Sequence, residues 1–207
     1  MIKSKDLIEE NGQKNISSSE ILGKILFPGY EIQKKVKQLG NKITIDYANK
    51  DLIIVCILKG AVIFLTDLIK HIDLPFIIDF MSISSYGFNI TDSGLVKITK
   101  DLDENIEGKH VLIVEDIIDT GLTLSYMIRN LRVREPASIE ICTLIDRAVR
   151  RIAKIDIKYS GFKLEEKYAV GYGLDYKQKY RNLESIYELK TDTIKKDIES
   201  LKSTLNK

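Results

Sequence analysis

Tryptophan is absent from this 207-residue chain, and histidine, cysteine and proline occur only two, two and three times. Two cysteines without a CxxC spacing give no sign of metal or redox work. Both lie inside apolar runs, Cys56 in Leu52–Leu58 and Cys142 in Ile139–Ile145, where a thiol serves as a small buried hydrophobe. His71 and His110 are isolated from any acid cluster, so neither reads as a ligand. Charge of one sign is lacking as well. With 32 basic and 30 acidic side chains the net charge is +2, and no global field invites nucleic acid or a membrane surface. Any polyanionic ligand must therefore be gripped by a local site. No apolar run approaches the roughly 18 residues of a membrane span. The opening MIKSKDLIEE is charged and carries no apolar signal region. These absences predict a cytoplasmic protein in a reducing compartment.

What remains is an ordinary globular composition, 44% hydrophobic and 30% charged. A chain of this length forms one domain, or a core with a small appendage, and buries roughly 70% of its unfolded surface. Its periodicity alternates between two kinds. Ile32–Leu39 is helix-like, with Ile32, Val36 and Leu39 on one side. Leu52–Leu58 is a continuous apolar run, as expected of a strand buried on both faces. Ala61–Ile69 reads as a helix ending near Asp73-Leu-Pro75, and Phe76–Ile83 as a strand. Val111–Val114 is a second fully apolar strand, Leu122–Arg132 a helix broken by Glu135-Pro136, and Ile139–Ile145 a third apolar strand. Strand, loop, helix, strand in repetition predicts an α/β fold with a mainly parallel sheet flanked by helices. Ligands of such folds sit beyond the carboxyl ends of the strands. Lys59-Gly60, Glu115–Thr123 and Asp146-Arg147 each follow a strand and so meet at one mouth.

The middle loop carries the chemistry. In Val111–Leu124, Glu115 and Asp116 stand side by side at a strand end and repel each other unless a cation or a set of hydroxyls intervenes. A ribose diol with Mg²⁺ nearby meets that need, because Mg²⁺ binds through one or two carboxylates plus substrate oxygens and water. Asp119 follows three residues later, where a strand-to-helix turn aims it back over the same place. Thr120, Gly121 and Thr123 then offer hydroxyls and backbone N–H groups at a helix N-terminus, suited to a phosphate.

This segment resembles the phosphoribosyl-pyrophosphate motif of the type I phosphoribosyltransferases, and with Ile117-Ile118 it is similar to the hypoxanthine-guanine branch. The resemblance runs from about Ile25 to Leu189. It implies a pyrophosphate loop at Lys59 and Gly60, a lid at Ser84, Ser85, Tyr86 and Gly87, and a base-and-magnesium segment at Gly171–Tyr176 followed by Arg181. It further implies one transferase domain over 1–207, a hood built from roughly 1–30 and 163–190, and a peripheral helix or tail at 190–207. By the same resemblance Asp119 handles the proton at purine N7, and Lys59 and Arg181 face the leaving pyrophosphate. Mg²⁺ is held by Glu115, Asp116 and Asp175, and Asp175 also belongs to the purine site. The implied reaction transfers a phosphoribosyl group from its pyrophosphate donor to hypoxanthine, and to guanine, giving IMP or GMP in purine salvage. A homodimer or homotetramer is implied, with no nucleic-acid or membrane partner.

The sequence departs from the family at the base. Arg147 stands where a lysine donates to the purine 6-oxygen, Tyr168 replaces a stacking phenylalanine, and Ala169 replaces a valine. An arginine fork and a tyrosine ring keep both roles, and a 6-oxopurine remains the expected base. Two alternatives stay open: a non-catalytic sensor of the donor or a nucleotide on the same fold, and a transferase preferring another 6-oxopurine such as xanthine. The arginines 129, 132, 134, 147, 150 and 151 read as a solvated basic face rather than a nucleic-acid surface.

Overall fold

Near-continuous apolar runs can be satisfied only by a strand covered on both sides, and that is how this chain folds. The structure, a computed structural model, describes residues 21–85, 96–190 and 192, without the side chains of 84, 85 and 96. Strands β2 (Leu52–Leu58), β3 (Ile77–Ser85), β4 (Val96–Lys100), β5 (His110–Ile118), β6 (Ser138–Asp146) and β7 (Tyr159–Lys163) form one sheet in the order β4-β3-β2-β5-β6-β7. All neighbours pair in parallel except β4, an antiparallel edge strand on β3. A smaller antiparallel sheet, β1-β9-β8, joins β1 (Leu22–Phe27), β9 (Ile186–Leu189) and β8 (Ala169–Val170).

Alternate residues of the central strands feed two separate cores. Leu52, Ile54 and Cys56 of β2, Leu112 and Val114 of β5, and Cys142 and Leu144 of β6 pack with helices α1 (Gly29–Asp46) and α2 (Ala61–Leu68). Ile53, Val55, Ile57, Val111, Ile113 and Ile141 face the other way, against Leu124, Met127 and Leu131 of α3 (Leu122–Arg132). Each fully buried aliphatic side chain contributes roughly 1.5–3 kcal/mol of transfer free energy. Both cysteines are buried and free, and burial pushes the Cys56 thiol up to about 12.

Topology positions the site. From β2 the chain crosses through α2 to β3, and from β5 it crosses through α3 to β6, on the opposite side of the strand order. The two crossover helices therefore lie on opposite faces, as their separate cores show. The direction of crossover changes between β2 and β5, and their carboxyl ends mark the switch point at which open α/β sheets bind ligands.

Most of the sequence-derived boundaries move, the strands read as Phe76–Ile83 and Ile139–Ile145 only slightly, to Ile77–Ser85 and Ser138–Asp146. The helix read as Ile32–Leu39 extends to Gly29–Asp46. The helix from Ala61 ends at Leu68 and continues as a 3₁₀ turn, Ile69–His71. The strand read as Val111–Val114 runs on to Ile118, because its ladder to β6 continues through Glu115↔Thr143 and Ile118↔Asp146 whatever the polarity of the side chains. Glu115 and Asp116 thus sit within the strand and take its rigidity. The expected lid residues Tyr86 and Gly87 lie outside the described residues, as do 1–20 and all of the 190–207 segment except Lys190 and Asp192.

Candidate active site

The three loops expected at one mouth do meet, and their meeting is backbone-close. Lys59 follows Leu58 through a cis peptide and is exposed at the end of β2. Gly60 has an ordinary helical φ of −62°, so its backbone does not call for glycine. Space does: a Cβ there would land inside the Asp116 carboxylate. A Cβ on Gly173 would in turn meet the Gly60 carbonyl, and Gly173 also needs its φ of +97°. The pyrophosphate-loop candidate, the paired acids and the 171–176 segment are thereby in direct contact.

Glu115 and Asp116 share this crowded place, and both bind their protons more tightly than free carboxyls do. Burial first, then the neighbouring Asp116 charge, drives the Glu115 carboxyl well above the usual range. Burial also lifts Asp116 to about 6, opposed by the Ile117 amide that donates to its Oδ1 at 2.9 Å and by the charge of Arg181. A proton or a metal ion relieves such a pair. Among the described residues no three acidic, histidine or cysteine side chains gather as a metal cluster. Asp175 is not drawn into the pair: its carboxylate meets Arg181 Nη2 at 2.8 Å and accepts from the Gln178 amide at 2.8 Å. The donor set fits a hard divalent cation that brings most of its own oxygen ligands, as Mg²⁺ does with substrate phosphates and water.

Beyond the acids, Gly121 adopts φ +77° as the N-cap of α3 and turns the chain sharply into the helix. A cavity of about 170 Å³ opens here, lined by Glu115, Asp119, Thr120, Gly121, Thr123 and Leu124 among others. The first N–H groups of a helix have no intrahelical acceptor, so this cavity is furnished with donors for an anion. Asp119 stands on its wall. Its Oδ2 is 3.1 Å from Arg150 Nη1 and 3.6 Å from Arg147 Nη1, whereas its Oδ1 is buried with no hydrogen-bond partner.

Arg147 is only 6% exposed. It donates from Nε to the Glu165 carbonyl at 3.3 Å and lies over the Tyr168 ring, 5.4 Å from its centroid. Tyr168 itself is 50% exposed, so part of the ring is open to a planar ligand. Ala169 follows in β8 and is half-buried. The segment after it folds back on itself, with Tyr172, Lys177, Gln178 and Tyr180 all at positive φ. Tyr172 donates its hydroxyl to Asp67 of α2 at 2.7 Å, and Arg181 donates from Nη1 to the Gly173 carbonyl at 2.7 Å. No helix opens at Gly171-Tyr172-Gly173, which is no dinucleotide fingerprint.

The basic face expected from the six arginines needs correcting. Arg134 pairs with Asp101 at 2.6 Å, Arg151 with Asp146, and Arg147 and Arg150 with Asp119. Four of the six are therefore tied to carboxylates, three of them at the site. Arg150 is the residue that sequence reasoning missed. Its signal was position, three residues beyond Arg147 at the end of a strand, rather than helical spacing.

Comparison with known proteins agrees with this geometry. The family described as "Phosphoribosyl transferase domain" matches residues 24–177. A hypoxanthine-guanine phosphoribosyltransferase of Bacillus subtilis (strain 168) is 50% identical over 167 residues, which cover 81% of this chain and 93% of the relative. A hypoxanthine-guanine-xanthine phosphoribosyltransferase of Tritrichomonas foetus is 45% identical over 170 residues, covering 82% and 92%. The crystal structure of a hypoxanthine phosphoribosyltransferase from Staphylococcus aureus superposes with a TM-score of 0.81 at 45% identity, covering 87% of this chain and 98% of that one.

Proposed function

The chain belongs to the phosphoribosyl transferase domain family, and from that premise we propose that it salvages purines by joining hypoxanthine, and guanine, to the phosphoribosyl group of phosphoribosyl pyrophosphate. IMP or GMP and pyrophosphate are the products. The observation that carries this reading is the single wall shared by two subsites. Asp119 lines the anion cavity at α3 and at the same time meets Arg147, which overlies Tyr168. A purine stacked on Tyr168 has Arg147 at hand as donor to its 6-oxygen and Asp119 at hand for N7, while the sugar phosphate occupies the cavity.

Each residue then has a physical task. Thr120, Gly121 and Thr123 hold the 5-phosphate at the helix N-terminus. Glu115 and Asp116 accept from the ribose hydroxyls. Asp119 exchanges the N7 proton as N9 attacks the anomeric carbon, general acid–base work worth about 10²–10⁴-fold. Lys59, the Gly60 backbone and Arg181 face the departing pyrophosphate, where charge stabilisation is usually the larger contribution. Ala169 borders the purine beside Tyr168, and Asp175 reaches the same site. The expected lid would begin at Ser84 and Ser85, which end strand β3, while its Tyr86 and Gly87 lie outside the described residues.

Mg²⁺ fits the paired acids for the reasons given above, and Glu115 and Asp116 would hold it with the donor's oxygens, whereas Asp175, expected beside them from the sequence, is tied to Arg181 and the Gln178 amide instead. When bound, the cation supplies charge neutralisation on the leaving group. The small sheet β1-β9-β8 is the hood of this reading, and the assembly is a homodimer or homotetramer acting in the cytoplasm. Among the described residues no helix is long and apolar enough to cross a membrane.

The test is a spectrophotometric assay of hypoxanthine, guanine, xanthine and adenine with one donor and Mg²⁺. Turnover of hypoxanthine or guanine well above adenine is expected. Binding of the donor without turnover of any 6-oxopurine would make the chain a sensor instead.

A further inference from the structure

We propose that Arg150 is a positioning residue, which anchors Oδ2 of Asp119 and so fixes where the carboxylate stands against the reacting base. The inference rests on the acid–base reading of Asp119 and goes beyond it by assigning the group that aims the carboxylate.

The two oxygens of Asp119 are treated differently by the fold. Oδ2 lies 3.1 Å from Arg150 Nη1 and 3.6 Å from Arg147 Nη1. Oδ1 is buried and has no hydrogen-bond partner. A buried carboxylate oxygen without a donor is costly, and folds retain such an atom where function needs it. The side chain that holds Oδ2 therefore fixes the orientation of the whole carboxylate.

Arg150 rather than Arg147 is that side chain. Arg147 is committed elsewhere, through Nε to the Glu165 carbonyl and through its face to Tyr168. Among the described residues the Arg150 guanidinium has one partner, Asp119, and the contact is the shorter of the two. The segment on either side of Arg150 is strapped to both neighbours of Asp119. The Arg147 amide donates to the Ile118 carbonyl at 3.0 Å, and the Ile152 and Ala153 amides donate to the Thr120 carbonyl at 2.9 and 3.1 Å. Between these anchors the 3₁₀ turn Ala148–Arg150 holds Arg150 in a fixed relation to the Asp119 backbone. The arginine moves no proton. It remains a cation throughout, and the proton travels only between the Asp119 carboxylate and the base.

A kinetic double-mutant cycle tests this, with Arg150→Gln, Arg150→Lys, Asp119→Asn and the Arg150→Gln/Asp119→Asn pair. In the parent background Arg150→Gln should lower kcat by about tenfold with both KM values within about twofold, since misplacing a reacting group lowers rate before binding. Arg150→Lys should recover part of the loss, because a point charge can pair but cannot reproduce the planar fork. In the Asp119→Asn background, Arg150→Gln should change kcat by less than about twofold. Equal losses in both backgrounds would overturn the proposal, as would a raised donor KM with kcat intact, or a kcat that rises when Arg150 is removed. If Arg150→Gln fails to fold, the Arg150→Lys arm of the cycle carries the same comparison. An unchanged kcat in Asp119→Asn alone would sink the acid–base reading itself, a result distinct from any of these.

Discussion

Replacing Asp116 by Asn should stabilise the metal-free protein while weakening catalysis. In the folded chain Asp116 is lifted from its ordinary 3.8 to about 6, chiefly by burial. The folded state then binds more protons than the unfolded state between those values, so this carboxyl costs stability progressively as pH rises through them. At neutral pH the cost is about 3 kcal/mol. Residual solvent and coupling to Glu115 reduce the recoverable part to about 1–3 kcal/mol. Asn keeps an oxygen to accept from the Ile117 amide, so that hydrogen bond is not sacrificed. For a chain of this size the gain should appear as about 3–10 °C in Tm. Scanning calorimetry of chelator-treated protein at pH 7.5 and 5.0 is the measurement. The gap between variant and parent should shrink to roughly half at the lower pH, where the folded parent is already largely protonated. A variant no more stable than the parent at pH 7.5, or a gap that widens on acidification, would refute the reasoning. Activity should fall in the same variant, the usual exchange of stability for a strained site.

Three further outcomes follow from the same geometry. Gly60→Ala, which pushes a methyl into the Asp116 carboxylate, should cost about 1–3 kcal/mol in a denaturant titration and weaken donor binding in calorimetry. Arg147→Lys should alter the ratio of kcat/KM between bases more than the donor KM, read from parallel assays with hypoxanthine, guanine and xanthine; equal loss with every base would remove Arg147 from base selection. Asp119→Asn should reduce kcat by about 10²–10⁴-fold with modest change in donor KM, measured where chemistry limits turnover.

Where burial is complete, the sequence announces structure to the residue. β2 and α3 have the bounds their patterns give, because a doubly covered strand has no polar position and Gly121 marks the turn into the helix. Where side chains are proposed to serve the ligand, the pattern misleads. Glu115, Asp116 and Asp119 read as a loop, yet backbone pairing with β6 continues beneath the first two. The small sheet is hidden for another reason: β8 is only two residues long, too short for any period. Arg150 was illegible because its partner lies across a β6 crossover, and local spacing cannot report an ion pair between distant segments. The paired acids and the helix N-terminus were legible because each is a local motif with its own chemistry.

The contact of Gly173 with the Gly60 carbonyl has a consequence for how the molecule acquires its activity. The two loops lie far apart in the chain, at Gly60 and Gly173. This corner of the proposed site thus exists only after the chain from Lys59 through Arg181 has come together. Closing so long a loop carries an entropic cost that must be met before the contact returns anything. This corner of the proposed site is therefore a property of the finished fold.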